Sequence, residues 1–95
     1  MPRYVIERSF DPMDEELSDQ LGSLSKKIIE EQFPEIRWEH SHVVADAEGN
    51  IITFCIYEAP SEDMIRLHAK ELGYHVILNI YEIGADINPR EIRSA

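Results

Sequence analysis

With 95 residues, the chain can form one hydrophobic core but not two, so we predict a single domain over residues 1–95. Its net charge of −10, from 19 acidic and 9 basic residues, argues against nucleic-acid binding, which needs a basic patch. No apolar run reaches the roughly 20 residues that span a membrane, and the charged N-terminus lacks a secretory signal, so we expect a soluble cytoplasmic protein.

The first predicted elements are a strand and a long helix. Arg3–Phe10 is rich in β-forming residues that mostly alternate in polarity, which predicts a strand. Asp11 and Pro12 suit the N-cap and the first position of a helix that runs to about Gln32. The apolar stripe of this helix is expected at Leu17, Leu21, Leu24 and Ile28.

A β-hairpin follows the helix. Its strands are predicted over Ile36–Asp46 and Ile51–Glu58, and the segment Ala47-Glu48-Gly49-Asn50 between them supplies turn residues. Gly49 can take the positive φ that such turns often need.

The loop length decides which side chains share a face of the hairpin. With a two- or four-residue loop, His42 lies opposite Cys55 and His40 lies opposite Tyr57, all on one face of the sheet. A three-residue loop shifts the register by one residue and moves the histidines away from the Cys55 face. The predicted grouping of the four side chains therefore depends on this turn.

The last elements are a second helix and a fourth strand. Ser61 is a predicted N-cap, Gly73 a predicted C-terminal cap, and His75–Ile83 a mostly apolar strand. The apolar stripe of the helix is expected at Ile65, His68, Ala69 and Leu72. The order β-α-β-β-α-β predicts a ferredoxin-like α+β fold, a four-stranded antiparallel sheet with both helices on one face.

The uncovered face of this sheet is expected to meet a second subunit. It is predicted to carry Trp38, Val44 and Tyr57, and an apolar face of this kind is normally covered. We therefore expect a homodimer, in the arrangement of a dimeric α/β barrel.

The histidines of the hairpin indicate a metal site. His40 and His42 alternate along a strand, with Cβ atoms roughly 6–7 Å apart, so their imidazoles can share one ion. Cys55 adds a thiolate, and Tyr57 or Glu58 adds an oxygen ligand. Imidazole suits nickel, copper, zinc and iron alike, whereas thiolate shifts the preference towards zinc or copper(I). His68 points from the helix side and cannot reach the same ion. A polar lining of the dimer cavity without metal is the alternative.

Two further functions stay open. The first is a dimeric α/β-barrel enzyme or small-molecule binder that uses the same cavity; the second is a docking protein that presents its acidic helices. Cys55 with His42 resembles a nucleophile–base pair, but no oxyanion-hole sequence accompanies it. The residues therefore favour a binding protein over an enzyme.

Four stretches of the sequence resemble a small bacterial nickel-binding family, long described only as a domain of unknown function. The stretches are P-R-Y-x-x-E-R from Pro2, W-x-H-S from Trp38, F-C-x-Y-E-A-P from Phe54 and I-x-x-H-A-x-x-x-G from Ile65. The resemblance implies a ferredoxin-like subunit, a homodimeric α/β barrel and nickel binding.

The resemblance also bears on the candidate ligands. It implies that the following residues occupy recurring family positions: His40, Cys55, Tyr57, Glu58 and His68. His42 stands where the family pattern leads us to expect an aromatic residue, and Gly73-Tyr74-His75 departs from the expected Gly-x-Pro.

Overall fold

The computed structural model describes residues 1–10 and 15–92. The elements are β1 (Arg3–Phe10), α1 (Glu15–Gln32), β2 (Arg37–Ala45), β3 (Ile51–Glu58), α2 (Glu62–Leu72), β4 (His75–Glu82) and a short 3-10 turn (Pro89–Glu91). The predicted order is confirmed, and each strand lies within one residue of its predicted bounds. The predicted helix start at Asp11 and Pro12 falls outside the described residues. None of the described helices is long and apolar enough to cross a membrane.

The four strands form one antiparallel sheet in the order β2-β3-β1-β4. Burial alternates along the two central strands, and residues such as Ile6 and Tyr57 are fully buried while Val5 and Ile56 are only half-buried. The buried positions share a hydrophobic cluster with Ile29 and Ile65 of the helices. We call this side of the sheet the covered face and the other side the open face. The ferredoxin-like α+β fold is thus confirmed.

The second helix forms as its sequence predicts. The Ser61 hydroxyl accepts a hydrogen bond from the Met64 N–H at 3.3 Å, and Gly73 ends the helix with a φ of 68°. The predicted stripe is buried in full: Ile65, His68, Ala69 and Leu72.

The stripe predicted for α1 is wrong in part. Leu17 and Leu24 are 37% and 38% exposed, whereas Ser25 and Ile29 are buried. The buried side of the helix is therefore the set Leu21, Ser25, Ile28 and Ile29, spaced as one helical face. The apolar pattern does not predict burial of Ser25, because Ser25 is a polar residue at a core position. Its hydroxyl is hydrogen-bonded to the His68 ring.

The register predicted for the hairpin is wrong. A three-residue loop, 47–49, connects the strands, because the Asp46 N–H donates to the Asn50 carbonyl and the Gly49 N–H donates to the Asp46 carbonyl. Gly49 takes a φ of 84°, and the Asp46 carboxylate accepts from the N–H groups of Glu48 and Asn50, each at 2.9 Å. Those bonds fix the odd-numbered loop, and His42 therefore pairs with Phe54 instead of Cys55.

A β-bulge at Glu39 interrupts β2. Trp38 pairs with Tyr57, but the next paired residue is His40, which lies opposite Ile56. One extra residue on the bulged strand reverses which residues point to each face. Trp38 and Ser41, three residues apart, consequently share the covered face, where the indole N–H donates to the serine hydroxyl at 2.9 Å.

Candidate functional site

The predicted ligands divide between the two faces of the sheet. His40 and His42 lie opposite Ile56 and Phe54 on the open face. Cys55 and Tyr57 lie on the covered face, 4% and 0% exposed. The prediction that these four side chains share a face is therefore wrong, because the three-residue loop sets the opposite register and the sheet separates the two pairs.

His40 and His42 do come together on the open face. Their ring centroids are 5.2 Å apart and the rings are nearly perpendicular, at 81°. Both side chains are exposed on the edge strand β2. His40 also lines a shallow groove of about 420 Å³ with Val5, Ile56 and Tyr81. The pair therefore offers two accessible nitrogen donors, of a kind that transition metals accept.

Carboxylates near the pair are engaged by cations. Glu39 accepts from the Arg3 guanidinium at 3.0 and 2.9 Å, and Arg3 also bonds Asp86. Glu58, a predicted ligand, is on the open face but lies 3.8 Å from Arg37 and 3.9 Å from the N-terminal amine. Within residues 1–10 and 15–92, no group of three or more histidine, cysteine or acidic side chains is arranged to hold a metal. The donors left for a metal ion on the open face of one described chain are therefore the imidazoles of His40 and His42.

Tyr57 lies at the centre of a buried cluster on the covered face. Its ring is 6.1 Å from Trp38 and 5.7 Å from His68, both at steep angles, and the Arg8 guanidinium carbon is 5.0 Å from its centroid. The Tyr57 hydroxyl accepts a hydrogen bond from Arg8 Nη1 at 3.3 Å. Burial raises the pKa of Tyr57, which keeps the phenol protonated rather than a phenolate ligand.

His68 is a neutral core residue. It is fully buried, and its Nε2 lies 3.1 Å from the Ser25 hydroxyl. Burial, and then the charge of Arg8, lower its pKa to about 4. The expectation that His68 is on the helix side, apart from the strand histidines, is confirmed. Cys55 is equally enclosed, with its thiol 3.6 Å from the Thr53 hydroxyl.

Arg8 is a buried residue of this site that the hydrophobic pattern of the sequence does not predict. Only 2% of it is exposed, and its Nε and Nη2 atoms have no hydrogen-bond partner among the described residues. It lines a cavity of about 170 Å³ between α1 and the covered face. The sequence does indicate this position. Side chains alternate along a strand, so Arg8 lies on the same face as Tyr4 and Ile6 and points into the core.

The stretches that carry the family resemblance converge on this cavity. The following residues, drawn from three of the four stretches, line its wall: Arg8, Trp38, Ser41, Cys55 and Tyr57. The fourth stretch supplies His68, whose ring packs against the Tyr57 ring. Residues far apart in the chain thus build one buried cluster.

Comparison with known proteins identifies the family. Residues 4–83, most of the chain, match the family described as nickel responsive protein SCO4226-like. The chain belongs to this family. The resemblance predicted from the four stretches is confirmed, and the SCO4226-like description associates the family with nickel responsiveness. No curated protein matches the sequence.

A solved structure supports the fold of this SCO4226-like chain. The crystal structure of SCO4226 from Streptomyces coelicolor A3(2) is similar to it, with a TM-score of 0.66. The match covers 90% of this chain and 99% of that chain at 17% sequence identity. At such low identity the similarity shows a shared fold, and the ligands of a metal site have to be argued from this chain's own residues.

Proposed function

We propose that this protein binds a divalent transition metal, nickel first, through His40 and His42 on the open face. The observation that carries the proposal is the pair of accessible imidazoles with ring centroids 5.2 Å apart. Imidazole is a good ligand for nickel, copper and zinc, and the family description points to nickel among them.

The remaining ligand positions belong to water or to a second copy of the chain. Exposed apolar residues on the open face favour a second copy: Val44, Val76 and Tyr81 are 41%, 64% and 58% exposed. Pairing of two open faces buries this surface and brings two histidine pairs into one cavity. In this proposal the protein is a homodimer and its metal site lies in or near the dimer cavity.

The charge of the protein supports cation binding without defining the site. The net charge of −10 raises the local concentration of divalent cations around the whole surface. Glu39, Glu58 and Asp86 are already paired with cations, so the imidazoles are the donors that we assign to the metal.

The test is a calorimetric titration of tag-free, metal-free protein with nickel chloride. We expect saturable binding in the wild-type chain, and a loss of at least about tenfold in affinity for His40→Gln and for His42→Gln, since each change removes one of two imidazole donors. The double variant is expected to lose the site. Sedimentation with and without nickel measures whether two copies share an ion.

The matched control is His75→Gln, which removes a histidine from the covered-face side of the sheet, where it stacks on Phe10 at 4.9 Å. This variant is expected to bind nickel like the wild type. Nickel affinity that stays the same in the His40/His42 double variant would refute the proposed site.

A further inference from the structure

Arg8 presents an unusual buried charge. An arginine guanidinium stays protonated inside proteins, and a buried charge is normally paired. No carboxylate of the described residues lies within ion-pair distance of Arg8, although the chain carries 19 acidic residues. Among the described residues, its one hydrogen-bond partner is the neutral Tyr57 hydroxyl. This desolvated cation thus has no counter-charge in the part of the chain that the structure describes.

The unsatisfied atoms of Arg8 define what kind of group is missing. Nε and Nη2 lack partners, while Nη1 is used by Tyr57. In a planar guanidinium, Nε–H and one Nη2–H point in parallel from the same edge. Two parallel donors match the two oxygens of a carboxylate, in the bidentate geometry for which arginine is best suited.

The adjacent cavity has room for the rest of such a molecule. Its volume of about 170 Å³ exceeds that of a cavity of about 150 Å³ known to hold benzene in another protein. Most of its wall is apolar, with Phe10, Leu21 and Leu72 among the lining residues. Val43 lines the cavity and is 60% exposed, so the cavity reaches solvent beside the edge strand.

We propose that this cavity binds a small organic carboxylate with a compact apolar body, and that Arg8 holds the carboxylate through Nε and Nη2. In the free protein these two atoms are shielded, so binding turns the guanidinium about its outer side-chain bonds toward the cavity. The apolar body then lies against Leu21 and Phe10. This site is on the opposite side of the sheet from His40 and His42 and does not depend on metal binding.

The test uses benzoate as the probe, because it joins a benzene-sized body to a carboxylate. We expect benzoate to shift the Arg8 Nε–H resonance in a saturable way and to raise the melting temperature with concentration. Benzamide, which has the same shape without the charge, and inorganic phosphate, which has charge without the apolar body, are expected to bind at least about tenfold more weakly.

Two variants locate the probe from different sides. Arg8→Met removes the cation while keeping an apolar side chain, and it is expected to weaken benzoate binding at least about tenfold. Gly22→Leu leaves Arg8 in place; a Cβ at Gly22 meets nothing within 4 Å, and the larger side chain occupies the cavity that Gly22 lines. It is expected to weaken binding equally. Arg90→Met, an exposed arginine outside the cavity, is the matched control and keeps wild-type affinity.

Several outcomes would overturn the proposal. Equal affinity for benzoate and benzamide would show that the charge of Arg8 is unused. Phosphate binding as tight as benzoate binding would make this an inorganic-anion site. A crystal structure grown with saturating benzoate that holds only water between Arg8, His68 Nδ1 and His75 Nε2, atoms that also lack described partners, would assign the cavity to solvent.

Discussion

The two faces of the sheet hold the same kinds of residue in opposite environments. On the open face, His40 and Tyr81 are exposed and Arg3 is paired with Glu39. On the covered side, the equivalent types are Tyr57 and Arg8 of the sheet and His68 of the helix packed on it, each no more than 2% exposed. An imidazole that faces water can exchange that water for a metal, whereas a buried one is held neutral by its surroundings.

The difference in burial determines which chemistry is available on each side of the sheet. The open face offers accessible nitrogen ligands, and its carboxylates Glu39 and Glu58 lie beside cations. The covered face offers a desolvated positive charge next to a cavity. Residue type alone does not separate the two faces, but burial does; we therefore propose the metal ion on the open face and the organic anion on the covered face.

The largest predicted effect separates the two faces by stability. Tyr57→Ala empties a fully buried position and is expected to reduce the free energy of unfolding by about 3–5 kcal/mol. Tyr81→Ala, at a position that is 58% exposed, is expected to cost less than about 1 kcal/mol. Urea unfolding of monomeric protein measures both. Equal losses would mean that the faces do not differ in burial.

The stability of the folded protein is expected to fall as the pH is lowered through the titration range of His68. The pKa of His68 is about 4 in the folded protein, against an ordinary value of 6.5, so the unfolded chain takes up a proton first as the pH falls. Stability from this group is complete above pH 6.5 and is lost between pH 6.5 and about 4, by roughly 3 kcal/mol in all. Urea unfolding across this range measures the loss.

Histidine variants show whether this pH dependence belongs to the covered face. His68→Gln is expected to flatten the fall in stability below pH 6.5, because it removes the titrating group. His42→Gln, at an exposed position of the open face, is the matched control for the substitution itself. A slope that follows His42 instead would contradict the assignment.

The third prediction reverses the usual sign of a core substitution. Arg8→Met is expected to stabilise the free protein by about 1–3 kcal/mol, because it removes buried donors that lack partners. The same change is expected to raise the pKa of His68, which the charge of Arg8 lowers. Chemical denaturation and NMR titration of His68 measure the two effects. A large destabilisation would show that Arg8 is satisfied in solution.

The smallest predicted effect comes from the helix that closes the cavity. Gly22→Ala is expected to stabilise the protein by up to about 1 kcal/mol, the difference in helix propensity, since the added Cβ meets no atom within 4 Å. Ser23→Ala, the exposed neighbour, is the control for propensity alone and is expected to gain less. Thermal unfolding measures both, and a loss of stability in Gly22→Ala would indicate a tighter helix–sheet contact.

Much of the fold follows from local sequence signals. The Ser61 cap, the Gly73 terminus and the stripe at Ile65 and Leu72 are short-range features, and each is confirmed. Alternation along β1 and β3 is equally local and gave both strands their correct bounds. Such signals need no knowledge of distant residues, which is why they suffice for the β-α-β-β-α-β order.

The candidate site could not be predicted as well, because it depends on parity. One loop residue more or less decides whether His42 faces Cys55 or Phe54, and the Asp46 bonds that settle this involve the turn's three-dimensional shape. The sequence pattern therefore predicts the wrong face for Cys55 and Tyr57. Ser25 and Arg8 are polar residues at buried positions, and a hydrophobic pattern leaves such residues out.

The bulge at Glu39 has a consequence for comparing relatives of this chain. Trp38 and Ser41 point to the same side of the sheet only because one residue in β2 is unpaired. Consider a relative that lacks this extra residue. If its sequence is aligned from Trp38 onward without a gap, every later position of the strand is matched to a residue on the opposite face of the sheet. Alignments of this strand should therefore be anchored separately before and after Glu39, with the gap placed at the bulge, before any histidine is equated with a metal ligand.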